Sequence, residues 1–110
     1  LASRIETSLV GIRTRIGEGT TIVNSYVMGN DYYQTIEDIE ASKEKGIPAL
    51  GVGERCYIKN SLIDKNCCIG NDVRINGGKH LQDGEYENYT VKEGIVVVNK
   101  GSILPDGFTI

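Results

Sequence analysis

A short segment recurs along the chain at nearly constant spacing. Residues 5–10 (IETSLV) return at 22–27 (IVNSYV) and again at 58–63 (IKNSLI). The first two copies begin 17 residues apart, at 5 and 22, and Ile75 follows the start of the third copy by the same interval. A unit this short cannot bury an apolar face alone, so successive copies have to stack on one another. The repeat therefore predicts a solenoid.

Aliphatic residues inside the repeat fall six positions apart. In the first part of the chain they are Val10, Ile16, Ile22 and Met28. A glycine follows directly at 10–11, 16–17 and 69–70. Hexads with an inward aliphatic residue and a small residue at the corner are typical of a parallel β-helix of triangular cross-section. The 17-residue period is one short of three hexads, which predicts one shortened corner per coil, at 5–10 and 58–63.

The pattern breaks first at residues 29–50. Thr35 and Asp38 have the spacing of a capping box, in which a hydroxyl residue caps a helix and an acidic residue follows three positions later. Lys43 and Lys45 suit the C-terminal end of a helix that Gly46 closes. We expect a short amphipathic helix on an insertion between coils.

A second break covers residues 77–88, which are rich in Gly, Asp, Glu and Asn and are expected to form an exposed loop. The six-residue step returns at Val98, Leu104 and Ile110. The predicted organisation is therefore coils at about 1–28 and 51–76, a helical insertion at 29–50, the loop at 77–88, and final coils at 89–110.

Composition narrows the range of partners. The formal net charge is −3, from 12 basic and 15 acidic residues, which argues against nucleic-acid binding through a basic surface. The sequence contains no signal peptide and no apolar stretch long enough to span a membrane. Cys56, Cys67 and Cys68 form neither a CxxC pair nor an even set, so we expect reduced thiols packed in the coils and a cytoplasmic protein.

The sequence offers one candidate general base, His80, which is its only histidine. Hexapeptide solenoids include acyltransferases that use a histidine base, and this remains the alternative function. They also include carbonic anhydrases, whose zinc needs three histidines. His80 lies in the predicted loop with no fixed neighbour to orient it. We therefore predict no catalytic centre and no metal site in this chain. A third hypothesis is a purely structural solenoid with a binding face on the inserted helix.

Two lysines fall at predicted corners of the coils. Lys65 and Lys100 are 35 residues apart, about two coils, and would share an edge if the segment between them loops out. With Arg13 or Arg74 they would form an anion site. The alternative interpretation is that the two lysines are solvated surface residues.

Six runs of sequence resemble the C-terminal domain of ADP-glucose pyrophosphorylase (glucose-1-phosphate adenylyltransferase). They are 10–13 (VGIR), 28–35 (MGNDYYQT), 47–53 (IPALGVG), 58–66 (IKNSLIDKN), 69–70 (IG) and 94–98 (GIVVV). The resemblance covers nearly the whole chain and includes both breaks in the hexads. It implies an all-β fold, a left-handed parallel β-helix with one short inserted helix.

The resemblance also implies a function. An N-terminal nucleotidyltransferase domain, absent from this chain, would use Mg²⁺ to convert ATP and glucose 1-phosphate to ADP-glucose and pyrophosphate, for glycogen or starch synthesis. The β-helix would contact that domain and the other subunits of a tetramer, would bind no cofactor itself, and would border effector sites. Positions that match Lys65 and Lys100 bind the phosphorylated activator 3-phosphoglycerate in plant-like members. Asn99 and the short loop at 77–88 depart from those members and leave fructose 1,6-bisphosphate or AMP open as the effector.

Overall fold

The chain winds into successive coils whose short strands pair into three sheets. The computed structural model describes residues 3–11, 13–31 and 34–110. The elements in chain order are β1 (Arg4–Glu6), β2 (Leu9–Val10), β3 (Thr21–Val23), β4 (Tyr26–Val27), α1 (Ile36–Glu44), β5 (Gly51–Val52), β6 (Tyr57–Lys59), β7 (Ser61–Ile63), β8 (Cys68–Ile69), β9 (Arg74–Asn76), β10 (Gly84–Glu85), β11 (Tyr89–Lys92), β12 (Ile95–Val98) and β13 (Ile103–Leu104).

Equivalent strands of neighbouring coils pair in parallel. The first sheet has the order β1-β3-β6-β9, the second β10-β11-β12-β7-β4-β2, and the third β13-β8-β5. In the first sheet Ile5, Ile22, Ile58 and Ile75 occupy one register position on four successive strands. These are the isoleucines that define the sequence repeat, so the predicted stacking is confirmed.

The core is a set of aliphatic columns that run along the axis of the solenoid. Its members are almost fully buried: Ile22, Val27, Val52, Ile58, Ile63, Ile69, Val73, Ile75, Val96, Val98 and Leu104. Branched aliphatic side chains fill this narrow interior, where equivalents on neighbouring coils occupy paired register positions. The interior therefore needs no large aromatic residue.

One predicted inward position is wrong. The six-residue spacing placed Met28 inside, whereas the structure buries Val27 and leaves Met28 half-buried. The cause is the shortened corner between the first and second sheets, where Asn24 adopts a left-handed backbone conformation with φ 48°. Asparagine tolerates this conformation better than most residues. The shortening therefore occurs in every coil with a copy of the repeat, at 22–27 as well as at 5–10 and 58–63.

Side-chain ladders hold the shortened corners in register. The Asn24 side-chain amide donates to Oδ1 of Asn60 (2.7 Å). The backbone N–H of Ser61 donates to the hydroxyl of Ser25 (3.1 Å), one coil away. Each side chain thus satisfies a group on the neighbouring coil, which explains why the Asn-Ser pair recurs in the repeat.

Glycines allow close stacking at the corner between the third and first sheets. A Cβ atom added to Gly17 would overlap the backbone of Gly53, and one added to Gly53 would overlap the carbonyl of Gly70. The predicted aliphatic-glycine step therefore marks the corner at which neighbouring coils come closest.

The first insertion leaves the solenoid after β4 and returns at β5, and it contains the predicted helix. The capping box is present, because Asp38 N donates to Thr35 Oγ1 and Thr35 N donates to Asp38 Oδ2, both at 3.1 Å. No residue of α1 is buried. The backbone N–H of Leu50 donates to the Gln34 side chain (2.8 Å) and closes the base of the insertion. In the described ranges, no helix is long and apolar enough to cross a membrane.

The second insertion differs from the predicted loop. β10 lies inside 77–88, and β11 is antiparallel to both β10 and β12, so this part of the chain extends the second sheet as a meander. Glu93 and Gly94 join β11 to β12 and have φ values of 52° and 82°. Two positive φ values are what a two-residue type I′ hairpin turn requires. The Glu-Gly pair between two apolar runs is the sequence signal for this turn, and the six-residue pattern concealed it.

Replacing Ile58 by alanine should destabilise the solenoid. Ile58 is fully buried between Ile22 and Ile75, and truncation would leave a cavity in the column. We expect a loss of about 2–5 kcal/mol in the free energy of unfolding, measured by urea denaturation. The matched control is Ile36→Ala, since Ile36 is 76% exposed and its truncation should change stability by less than about 0.5 kcal/mol. Equal effects of the two substitutions would contradict the assigned core.

Removing the helix cap should loosen α1 alone. Thr35→Ala deletes the hydroxyl that accepts from Asp38 N, and should cost the helix about 1 kcal/mol. Thr35→Ser keeps the hydroxyl and serves as the control. Amide hydrogen exchange should speed up in 36–44 for the alanine variant, while the strands keep their protection. Faster exchange throughout the coils would show that the insertion is coupled to the solenoid.

Candidate functional site

The two predicted lysines lie side by side at the corner between the second and third sheets. Val98 pairs with Ile63 before the corner and Ile103 pairs with Cys68 after it, so both pairs are offset by 35 residues. Lys100 therefore stands opposite Lys65 on the neighbouring coil, at the usual strand spacing of about 4.8 Å. The N–H of Gly101 donates to the Lys65 carbonyl (3.0 Å) and fixes the two turns on each other.

An aspartate from the coil below contacts Lys65. Oδ1 of Asp31 lies 3.4 Å from Nζ of Lys65, and both side chains are nearly half exposed, at 47% and 44%. Asn66 holds Asp31 in place, because its side chain donates to Oδ2 (3.1 Å) and accepts from the Asp31 N–H (3.0 Å). The hydrogen bond from Asn66, together with the charges of Lys65 and Lys100, lowers the pKa of the Asp31 carboxyl below its ordinary value.

A third cation occupies the same corner on the first coil. Arg13 stands opposite Asn30, since β2 and β4 are offset by 17 residues. Arg13 Nε donates to the Asn30 carbonyl (2.9 Å), and the Asn30 amide donates back to the Arg13 carbonyl (2.6 Å). Asp64 adds a second carboxylate, which accepts from the N–H of Lys65 (2.7 Å). We call the group formed by Arg13, Asp31, Asp64–Asn66 and Lys100 the lysine corner.

Arg74 does not belong to the lysine corner. It lies on β9 in the first sheet, the face of the prism opposite that corner, and its guanidinium carbon is 4.9 Å from the centroid of the Tyr57 ring. Of the two arginines that the sequence offered as partners for the lysines, the fold places Arg13 at the same corner and Arg74 on another face. We therefore leave Arg74 out of the candidate site.

The sequence reasoning missed Asp31 and Asn66. Both lie inside runs that carry the family resemblance, 28–35 and 58–66, but neither was assigned a role. The signal is their separation of 35 residues, the same interval that relates Lys65 to Lys100. It is concealed because Asp31 lies at the start of the first insertion, where the repeat has already ended.

Lys65 and Lys100 do not line either of two grooves found on the described residues. One groove of about 540 Å³ runs over the second sheet past Leu9, Tyr26 and Ile95. The other, about 440 Å³, separates α1 from the third sheet and is lined by Arg15 and Lys43 among others. We base the site on the charged cluster, because a small anion is held by a few convergent cations and does not require a large cavity.

His80 lacks the surroundings of a general base. Its side chain is exposed, and no hydrogen bond joins it to another residue in the described part of the chain. A base needs a partner that fixes its tautomer and orientation. Nothing in its surroundings therefore favours the acyltransferase alternative.

The three cysteines are structural residues of the coils, as predicted. Cys56 and Cys67 are buried and Cys68 is half-buried, and all three are free thiols. The Cys56 thiol donates to the Gly70 carbonyl (3.1 Å). Burial raises the pKa of Cys67 to about 11, so its thiol stays protonated at neutral pH. A protonated, buried thiol is a poor nucleophile.

Comparison with known proteins agrees with the geometry. The family model described as the GLGC left-handed parallel β-helix domain matches residues 1–109. The glucose-1-phosphate adenylyltransferase small subunit, chloroplastic/amyloplastic, of Triticum aestivum is 40% identical over 109 residues, which cover 97% of this chain and 23% of that relative. The match gives the hand of the coil and confirms the predicted all-β fold with one short inserted helix. The chain belongs to the GLGC left-handed parallel β-helix family, the family of the C-terminal domain of ADP-glucose pyrophosphorylase.

Proposed function

We propose that this chain is the regulatory and assembly domain of a glucose-1-phosphate adenylyltransferase. The whole enzyme would convert ATP and glucose 1-phosphate to ADP-glucose and pyrophosphate, for glycogen or starch synthesis. The register that sets Lys65 opposite Lys100 on adjacent coils is the observation that supports the regulatory part of this proposal, because two lysines on neighbouring turns can both extend toward one phosphoryl group. The plant relative supports the enzyme family.

The lysine corner would bind a phosphorylated small molecule. A phosphate monoester carries about two negative charges near neutral pH and several acceptor oxygens. Lys65 and Lys100 can each donate to a different oxygen, and charge-assisted hydrogen bonds of this kind are the strong ones. The family resemblance favours 3-phosphoglycerate as the activator, with fructose 1,6-bisphosphate and AMP as the other candidates.

Catalysis would take place in an N-terminal nucleotidyltransferase domain. No group of three or more His, Cys, Asp or Glu side chains in the described residues could hold a metal ion, so we assign no Mg²⁺ ligand to this chain. His80 is exposed and the Cys67 thiol stays protonated, so we assign neither of them a catalytic role.

Exposed apolar surface on the second sheet supports a role in subunit assembly. Leu9 and Tyr26 face outward at one register position of β2 and β4, and Leu62 of β7 continues this column. Leu9 is 67% exposed. Rows of exposed apolar residues on a regular sheet are typical of protein–protein contacts. We propose that this chain contacts its own N-terminal domain and the other subunits of a tetramer.

The free thiols are compatible with a reducing compartment. The cytoplasm is our expectation for this chain, whereas the name of the wheat relative gives a chloroplast or amyloplast location for that protein. A plastid location would point to starch as the polymer, and a cytoplasmic one in a bacterium would point to glycogen.

Neutralising either lysine should weaken activation. In the full-length enzyme, Lys65→Ala and Lys100→Ala should each remove a charge-assisted contact worth roughly 1.5–3 kcal/mol. The activator concentration for half-maximal stimulation should then rise on the order of 10- to 100-fold, while the rate at saturating activator stays largely intact. Lys92→Ala, on β11, is the control and should leave activation unchanged. Unchanged activation in both test variants would refute the role given to the lysine corner.

The 110-residue chain alone should be inactive and should self-associate. Incubation with ATP, Mg²⁺ and glucose 1-phosphate should yield no ADP-glucose above background, because the substrate site would lie in the other domain. Light scattering should detect species larger than a monomer, since the apolar column on the second sheet stays exposed. Formation of ADP-glucose by the chain itself would contradict the proposal that catalysis belongs to a separate N-terminal domain.

A further inference from the structure

We infer that Asp31 is a built-in competitor for the anion site: its carboxylate occupies the lysine corner in the absence of ligand and has to be displaced when a phosphorylated ligand binds. Asp31 would then set the affinity of the site. This inference rests on the proposed function, because it assumes that the lysine corner binds an anion.

The position of Asp31 is fixed by the neighbouring coil. Asn66 makes two hydrogen bonds to it, one to the backbone N–H and one from the side-chain amide to Oδ2. These bonds leave Oδ1 directed at Lys65, 3.4 Å from Nζ. The carboxylate is therefore placed beside the lysines by a specific two-bond contact, and this placement does not depend on a chance rotamer of an exposed side chain.

The ion pair is nevertheless open to exchange. Both of its side chains are nearly half exposed, and ion pairs in contact with solvent are weak. A phosphate group brings about twice the charge of a carboxylate and more acceptor oxygens, so it can replace Oδ1 at Lys65 and also engage Lys100. Asp31 would move away from Lys65 when the ligand arrives, while Asn66 retains the backbone contact.

The charges of the corner explain why a competing carboxylate is present. Lys65 and Lys100 stand on adjacent coils, with Arg13 on the same corner two coils from Lys65. Like charges at this spacing repel. Asp64 offsets part of the repulsion, but its carboxylate also accepts from the N–H of Lys65 and so belongs to its own turn. Asp31 supplies the remaining compensation, and a bound phosphate would take over the same role.

The opposite role for Asp31 makes a different prediction. If Asp31 instead positioned the Lys65 side chain for the ligand, removing its charge would weaken anion binding. The competitor role requires that removal strengthens it. The sign of the change therefore separates the two roles.

The test is a calorimetric titration of the full-length protein with inorganic phosphate at constant ionic strength. Asp31→Asn keeps the shape of the side chain and removes its charge, and Asp31→Ser removes the charge with a smaller side chain. Both should tighten phosphate binding by about two- to fivefold, the scale of an exposed ion pair. Asp72→Asn is the matched control, because Asp72 is also exposed and paired, with Arg55 (2.8 Å) at another corner. It should leave phosphate affinity unchanged.

Lys65→Ala in the same titration distinguishes failure of the Asp31 inference from failure of the anion site itself. If Lys65→Ala weakens phosphate binding but neither Asp31 variant strengthens it, the inference about Asp31 is wrong and the anion site stands. If neither Lys65→Ala nor the Asp31 variants change phosphate binding, the anion site itself is wrong. Weaker phosphate binding in both Asp31 variants would show that Asp31 positions Lys65, and would overturn its proposed role as a competitor.

Discussion

The in-register parallel stacking of one coil on the next is the interaction on which the rest of this structure depends. It aligns equivalent residues along the axis, so that one isoleucine position becomes a buried column and one asparagine position becomes a ladder of side-chain hydrogen bonds. Short strands of two to four residues would be unstable as isolated hairpins. Here each one is held by its neighbours, and the order of the whole solenoid follows from contacts between adjacent coils.

The same stacking builds the candidate site. A residue at a corner is carried out of the core, and its equivalents on the next coils stand beside it at the spacing of strands in a sheet. Lys65 and Lys100 come together in this way, although the whole second insertion separates them in the sequence. The first insertion leaves the solenoid from the same corner, which brings Asp31 next to the lysines. The insertions therefore shape the site without disturbing the register that positions it.

Much of the fold and of the candidate site could be predicted from the sequence, because residues one repeat apart lie beside each other on neighbouring coils. The columns, the shortened corner, the helix with its capping box and the pairing of the two lysines all follow from periods and spacings. Three features did not follow. Val27 replaces Met28 inside, because a six-residue count misses the shortened corner at Asn24. The β10–β11–β12 meander and the Asp31–Asn66 contact lie in or at the insertions, where the period no longer applies and pairing depends on tertiary geometry.

The lysine corner lies on an edge of the solenoid, between the second and third sheets, and this position bears on the regulatory role proposed for it. A corner that projects from a rigid solenoid can bind an anion on one side and contact a second domain on another. A ligand held there would be shared between the two, provided that the second domain supplies further donors. If the proposed ligand binds there, the packed columns of the coils favour a response in the partner domain, or in Asp31 and the first insertion, over a rearrangement of the coils themselves. Since α1 in that insertion has no buried residue, a change in its position would break few packing contacts.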